Sequence, residues 1–338
     1  MKKITLIILI ISLNAFSQKD IKKTGEYMDN ARNFFFQGIS KKDSIQRKED
    51  LEESLYYIEE AIKSEKLITE KQLIVMDFKN ADQKSLFKYP NPILYRAKVK
   101  FYMGDYKGCI NDINSLLDYV DTLSLTDLSY MKNLYMYIDI SDKNAIIIQR
   151  YKYKAQYGDK EGAIDDLNFV IDSGKADGRT FYERYLIKNE SGDLEGAKND
   201  LIAAINGEWA QNERTYNMFG NYDSWVAEAR YKLGQIYFES KAYEDALVQF
   251  KKAISFLEYS QLLELDIYDC NHWKYYFFRA KTRKELGEKE KKWCKDFSRA
   301  ETLLAISSNK CTDKIVEGVF VEGDRYIKEL SRIVVGCK

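Results

Sequence analysis

Gly-Asp turns followed by a small residue and an acidic, apolar run are the first feature of this chain that could do chemistry. They occur as "MGDYKGCINDI" at 103–113, "YGDKEGAIDDL" at 157–167 and "SGDLEGAKNDL" at 191–201. A glycine turn at the start of a helix can hold a phosphate through its backbone amides. The same glycine can instead end one helix while the aspartate caps the next. Because helical periodicity flanks each turn, we predict architecture without a ligand.

Arginine and aspartate recur at matched distances from these turns. An Arg stands eight residues before each turn glycine, and an Asp follows it by eight residues, or by nine in the last unit. Residues equidistant from the turn face one another in an antiparallel hairpin, which predicts one bidentate bond per unit. The alternative is an Arg row that binds acidic ligands. The unit around Lys241 has Leu233 and Gln249 instead, so both partners are lost together, which favours pairing. The predicted structural pairs are Arg96–Asp112, Arg150–Asp166, Arg184–Asp200 and Arg279–Asp296.

Composition narrows the possible functions. The 338 residues carry 53 Lys plus Arg and 53 Asp plus Glu, so the formal charge is zero and no basic excess points to nucleic acid. No phosphate loop, nucleophile elbow or His-Glu-x-x-His pattern occurs. The single histidine, His272, lies near Cys270, which is a weak hint of nucleophilic catalysis. We predict no catalytic residue, no cofactor and no metal, and hence no enzyme.

The N-terminus has the pattern of a secretory signal. A cationic "MKK" precedes the apolar run "ITLIILIISL", and Ala15 and Ser17 form a small-x-small cleavage pattern. This predicts a signal peptide at 1–17, cleaved before Gln18, and a protein that is periplasmic or extracellular without a membrane span. An uncleaved anchor is the alternative, although the run is short for a span.

Internal repeats organise most of the chain. Gly158 and Gly192 are 34 residues apart, and Gly104 precedes Gly158 by 54, which equals 34 plus a 20-residue insertion. "YKLGQIYFESKAYEDALVQFKKAI" at 231–254 carries the same pattern with Lys241 at the turn, and 275–300 carries it around Gly287. These residues resemble tetratricopeptide repeats over about residues 90–305.

The resemblance implies an all-α fold, an α-solenoid of antiparallel helix pairs with a C-terminal capping helix. The predicted division is a signal peptide at 1–17, N-terminal helices with a degenerate repeat at 18–89, the array at 90–305 and a cap at 306–338. The predicted units lie near 91–119, 145–173, 179–206, 226–257 and 273–305.

The resemblance also implies a concave groove formed by the first helices, which binds a protein or peptide segment. Side chains ten and six residues before each turn are expected to line it, and they form an apolar strip with lysines that suits a partly acidic segment. The alternative is that several of them pack between units. These residues are Leu94, Lys98, Ile148, Lys152, Tyr182, Leu186, Tyr231, Gln235, Phe277 and Lys281. Some cytosolic members of the family bind a peptide carboxylate through a set of Lys and Asn side chains. That set is absent here, so we do not expect this chain to bind a peptide carboxylate.

Two further features remain open. The aromatic insertion at 206–225 could bind a carbohydrate, a small ligand or a partner, or could fold onto its neighbours. Among the five cysteines, Cys109 is expected to be a buried free thiol. The repeat arrangement predicts the nested disulfides Cys270–Cys311 and Cys294–Cys337, with reduced thiols or zinc as alternatives. The sequence therefore predicts an exported, non-enzymatic scaffold that binds a protein, in a cell-envelope assembly.

Overall fold

A computed structural model describes residues 23–72, 92–121, 143–206, 225–262 and 272–310, together with residues 333 and 337. For residues 65–72, 257–262 and 307–310 it describes the backbone alone. Within these ranges all regular secondary structure is helical, which confirms the all-α prediction. The predicted signal peptide lies outside the described residues.

Twelve helices occupy the described ranges. They are α1 (23–40), α2 (Ser44–Gln72), α3 (Pro92–Tyr102), α4 (Tyr106–Asp121), α5 (Lys143–Tyr157), α6 (Lys160–Asp172), α7 (Gly178–Ser191), α8 (Leu194–Asn206), α9 (Trp225–Glu239), α10 (Tyr243–Leu262), α11 (His272–Glu285) and α12 (Glu290–Lys310). Consecutive helices form hairpins, so each odd-numbered helix is the first helix of a hairpin.

The chain divides into two compact units, residues 1–175 and 176–338. In the first unit, α2 packs on α3 and α4 packs on α5, so each hairpin rests on the next one. In the second unit, α8 packs on α9 and α10 packs on α11 in the same way. Each unit is therefore an α-solenoid segment in which every hairpin buries its apolar face against its neighbours.

Each Gly-Asp turn is completed by its own residues. Gly192 has a φ of +85°, in the left-handed region, and ends α7. The carboxylate of Asp193 then accepts a hydrogen bond from the Gly196 amide at 3.0 Å and caps α8. Asp159 does the same for the Gly162 amide at 3.0 Å. In each of these turns, one of the amides that could hold a phosphate therefore already donates to a carboxylate of the chain.

The two helices of each hairpin cross at small residues. Ala97, Ala163 and Ala280 are fully buried where a larger side chain would separate the helices. In the hairpin of α9 and α10 the crossing residue is Gly234, and a Cβ added there would lie 2.6 Å from Cε1 of the Phe250 ring. Phe250 is itself fully buried, so its ring has no room to withdraw.

We expect Gly234→Ala to lower the free energy of unfolding. Overpacking a core costs about 1–3 kcal/mol, which exceeds the ~1 kcal/mol that alanine returns through helix propensity. Gly162→Ala is the comparison variant and should lose less, because its Cβ would displace only the exposed carboxylate of Asp159. Losing that cap costs about 1 kcal/mol, which the helix propensity of alanine offsets. Urea unfolding compares the two variants. Equal stabilities would show that the α9–α10 crossing is not tightly packed.

Candidate functional site

The structure brings together all four predicted Arg–Asp pairs. In each pair a guanidinium nitrogen of the first helix lies 2.6–2.7 Å from a carboxylate oxygen of the second helix. The contacts use both Nε and Nη2 of the arginine, which is the bidentate geometry expected. The aspartate side chains are buried, and the arginines are about one-fifth exposed.

A second cation binds each of these aspartates, and the sequence analysis missed it. Lys154 Nζ lies 3.0 Å from Asp166, and Arg283 Nη1 lies 2.7 Å from Asp296. Lys100 and Lys188 complete the set. Each second cation stands four residues after the paired arginine, one helical turn along the same face. The signal that could have revealed it is the pattern Arg-x-x-x-Lys/Arg before each turn. We call each group of two cations and one carboxylate an aspartate cluster.

The arginines of the aspartate clusters also bind neighbours besides their aspartates. Arg150 Nη1 donates to Asn114 Oδ1 at 2.9 Å, which joins the hairpin of α5 and α6 to the one before it. Arg184 lies over the Phe181 ring. Because each arginine is engaged by its own hairpin, these contacts favour structural pairs over an Arg row that binds acidic ligands.

The hairpin of α9 and α10 has no aspartate cluster. Leu233 occupies the arginine position and is buried, and Tyr237 occupies the second-cation position. Gln249, in the aspartate position, accepts a long hydrogen bond of 3.5 Å from Arg230. Apolar packing holds this hairpin together, including the close contact between Gly234 and Phe250.

The groove prediction is wrong for four of the five side chains ten residues before the turns, and the fifth, Ile148, is half-buried. Leu94, Tyr182, Tyr231 and Phe277 are at most 8% exposed, so they offer no open surface to a partner. The cause is packing between hairpins, since the Tyr231 ring stacks on Tyr275 with 4.6 Å between centroids. Burial, with Glu228 adding to it, raises the pKa of Tyr182 and keeps its phenol protonated.

Side chains six residues before the turns remain nearer the surface. Lys98, Lys152 and Leu186 are exposed, while Gln235 and Lys281 are half-buried. Lys98 Nζ lies 5.1 Å from the centroid of the Phe35 ring, and partial burial lowers the pKa of this lysine. Lys281 Nζ lies 5.3 Å from the Phe277 ring.

Two exposed aromatic side chains contact the Phe35 ring over which Lys98 lies, and the sequence did not predict them. Phe36 on α1 is 51% exposed and Tyr102 on α3 is 49% exposed. The Phe35 ring contacts both, with centroid distances of 5.6 and 5.2 Å. The degenerate first hairpin therefore contributes to the same surface as α3.

One of the two predicted disulfides falls within the described residues. Cys294 and Cys337 are joined, with 5.6 Å between their Cα atoms, and Ile333 packs against the core of the second unit. Cys270 and Cys311 lie outside the described residues, as does 207–224 of the aromatic insertion.

Cys109 is buried and not disulfide-bonded, and burial raises its pKa to about 12. His272 is buried beside the Tyr275 ring.

Left-handed turns, the 34-residue spacing of Gly158 and Gly192 and small-residue crossings are the features by which these hairpins resemble tetratricopeptide repeats. A scan against protein-family models found no match, and a search of the curated proteins found none either. None of the described helices is long and apolar enough to cross a membrane, and no described cluster of His, Cys, Asp or Glu could hold a metal ion.

Several solved structures resemble the chain at low identity. BtubC from P. vanneervenii is 14% identical, covers 77% of this chain and 90% of its own, and has a TM-score of 0.49. MamA is 15% identical over 64% of this chain and 93% of its own, with a TM-score of 0.42. A tetratricopeptide repeat protein from Parabacteroides merdae is 15% identical over 85% and 99%, with a TM-score of 0.36. At these scores the likenesses carry no argument about this chain, and the resemblance to tetratricopeptide repeats rests on the hairpins themselves.

We expect Arg184→Ala to lose much more stability than the double change Arg184→Leu, Asp200→Leu. The single change leaves a buried carboxylate with Lys188 alone, a loss on the order of 3 kcal/mol, whereas the double change removes the buried charge. Chemical unfolding measures both variants. Arg299→Ala is the control, because this arginine is exposed on α12 and its loss should cost little. Equal losses for the single and double changes would show that the two residues do not interact.

Proposed function

We propose that this chain is an exported, non-enzymatic tetratricopeptide-type scaffold, acting in a cell-envelope assembly, whose first helices bind an acidic segment of a partner protein. The observation that carries the proposal is the placement of Lys98, Lys152 and Lys281. Each occupies the position six residues before its turn, and each has its Nζ over an aromatic ring. A cation held over a ring near the surface offers both charge and apolar area to a partner.

The first unit provides the more open surface. Lys98 lies over the Phe35 ring, which contacts the exposed rings of Phe36 and Tyr102. Arg32 lies over the Phe36 ring. Aromatic and arginine side chains are the types that contribute most to binding at protein interfaces. Because burial already disfavours the charge of Lys98, a carboxylate of the partner would relieve that cost. The surface therefore suits an acidic segment with an apolar side chain among its acids.

The second unit provides a smaller surface of the same kind. Lys281 on α11 lies over the rings of Phe277, Phe278 and Phe238, so one cation is placed on an aromatic floor. Leu186 is exposed on α7, and Gln235 is half-buried on α9. The side chains ten residues before the turns are buried beneath this surface and pack the first helices against their neighbours.

The side chains that could have served catalysis are otherwise engaged. The Cys109 thiol is buried and protonated at neutral pH, so it offers no thiolate nucleophile. The aspartates of the repeated turns cap helices or bind two cations each. These engagements support a binding role over an enzymatic one.

We expect reversal of the surface lysines to abolish partner capture. Wild-type protein and the Lys98→Glu, Lys152→Glu variant serve as baits for solubilised envelope extracts, with capture quantified by mass spectrometry. Replacing attraction by repulsion should reduce the capture of specific partners by about tenfold or more. Lys281→Glu tests the second unit separately. Lys107→Glu, an exposed change on the second helix α4, is the matched control and should capture as the wild type does.

The same baits distinguish the alternative site. If partners survive the lysine reversals and are lost when residues 208–224 are deleted, the aromatic insertion binds them and the first helices do not. Glycan-array binding without any protein partner would favour a carbohydrate-binding function.

Export makes a separate prediction. Intact-mass measurement of the protein from its natural host should show a mature chain that begins at Gln18, recovered in periplasmic or secreted fractions. Recovery of the full-length chain in the cytoplasm would contradict export and leave the binding surface untouched.

A further inference from the structure

The first hairpin keeps the aspartate of the cluster and lacks both of its cations. Asp43 caps α2, and its Oδ1 accepts a hydrogen bond from the Gln46 amide at 2.9 Å, as the turn aspartates do in later hairpins. Asp50 follows this cap by seven residues, the same interval that separates Asp105 from Asp112 and Asp193 from Asp200. Asp50 is thus the register equivalent of the cluster aspartates.

Phe34 and Gly38 stand where the other hairpins have their two cations. Counted back from the cap, these are the positions of Arg96 and Lys100 in the hairpin of α3 and α4. The Phe34 ring stacks on Tyr57 at 5.6 Å, and Gly38 has no side chain to offer. The first helix therefore brings no positive charge to Asp50 from either position.

Asp50 is left with an incomplete set of hydrogen bonds. It is 7% exposed, and its Oδ1 accepts only a long bond of 3.4 Å from the Gln46 side chain. Its Oδ2 is buried and accepts no hydrogen bond from any residue that the structure describes. A buried carboxylate oxygen without a donor is costly, and in four other hairpins of this chain cations fill the same place.

An open concavity of about 510 Å³ lies beside Asp50 on α2. Its lining residues are Gln46, Glu49, Asp50, Glu52, Glu53 and Tyr56. Four of these six are acids, and Lys48, 3.7 Å from Glu52, is the one described cation paired with them. We call Glu49, Asp50, Glu52 and Glu53 the acidic patch. Its charge is opposite to that of the lysine surface of the first helices.

We propose that the acidic patch binds an arginine side chain of a partner protein, which completes the aspartate cluster of the first hairpin. Within this chain, the cation at this register position is an arginine that binds the carboxylate through two nitrogens. Gln46 is exposed and weakly bonded, so its side chain turns aside to admit the guanidinium. Glu49 and Glu53 neutralise the remaining charge of a basic segment. This site is separate from the lysine surface and does not depend on its function.

Fluorescence anisotropy with a labelled hexa-arginine peptide tests the proposal on the full chain. Asp50→Asn should weaken binding by about tenfold, the usual scale for losing a charge-assisted bond. Phe34→Arg should weaken it similarly, because this guanidinium would occupy Asp50 from within the chain. Glu239→Gln removes an exposed acid of the second unit and should leave binding unchanged. A hexa-lysine peptide should bind less tightly than hexa-arginine.

Thermal melting distinguishes a loss of binding from a loss of folding. Asp50→Asn should melt at or above the wild-type temperature, because it removes a buried charge without a cation, so weaker binding would not reflect unfolding. If either variant melts early, Glu49→Gln with Glu53→Gln carries the test and should also weaken binding. Wild-type affinity in Asp50→Asn or in Phe34→Arg overturns the proposal, and so does equal affinity for the two peptides.

Discussion

A buried carboxylate shared by two cations fixes the geometry of each aspartate cluster, and the hairpins that carry one depend on it. Both cations come from the first helix, one turn apart, and the carboxylate comes from the second, as with Arg184, Lys188 and Asp200. A slip of one residue would rotate a cation by about 100° and leave the carboxylate buried with an incomplete shell. The cluster thereby selects one register, and small residues such as Ala197 allow the helices to approach closely enough to form it.

The Gly-Asp turns belong to the same construction. The glycine ends the first helix, and the aspartate after it uses its carboxylate on the amides of the second helix. Because the aspartate of the turn caps the following helix, the turn needs no ligand to complete it. The side chains left to contact partners are those on the surface of the first helices and, as we propose, the Asp50 carboxylate of the first hairpin, which has neither of the cluster cations.

Sequence reasoning reached the fold because its signals are local and periodic. The spacing of the turns located the repeat units, and equal distances from the turn identified each Arg–Asp contact. It missed Lys100, Lys154, Lys188 and Arg283 because a lysine on a helix usually marks a solvated face, although the Arg-x-x-x-Lys interval was readable. It predicted Tyr182 and Tyr231 as groove residues although both are buried. Periodicity shows which face of a helix a side chain lies on, but it does not show how deeply that face is buried. Whether such a ring meets solvent or the next hairpin depends on how closely hairpins stack, which no single repeat encodes.

The hairpin of α9 and α10 gives its unit a mixed physical character. It has no aspartate cluster and packs through Leu233, Gly234 and Phe250, whereas the hairpins on either side of it in sequence contain aspartate clusters. Apolar association weakens on cooling, while the desolvation penalty of ion pairs falls on heating. Cooling therefore weakens this hairpin more than its neighbours, so temperature decides which hairpin of the repeat unit opens first.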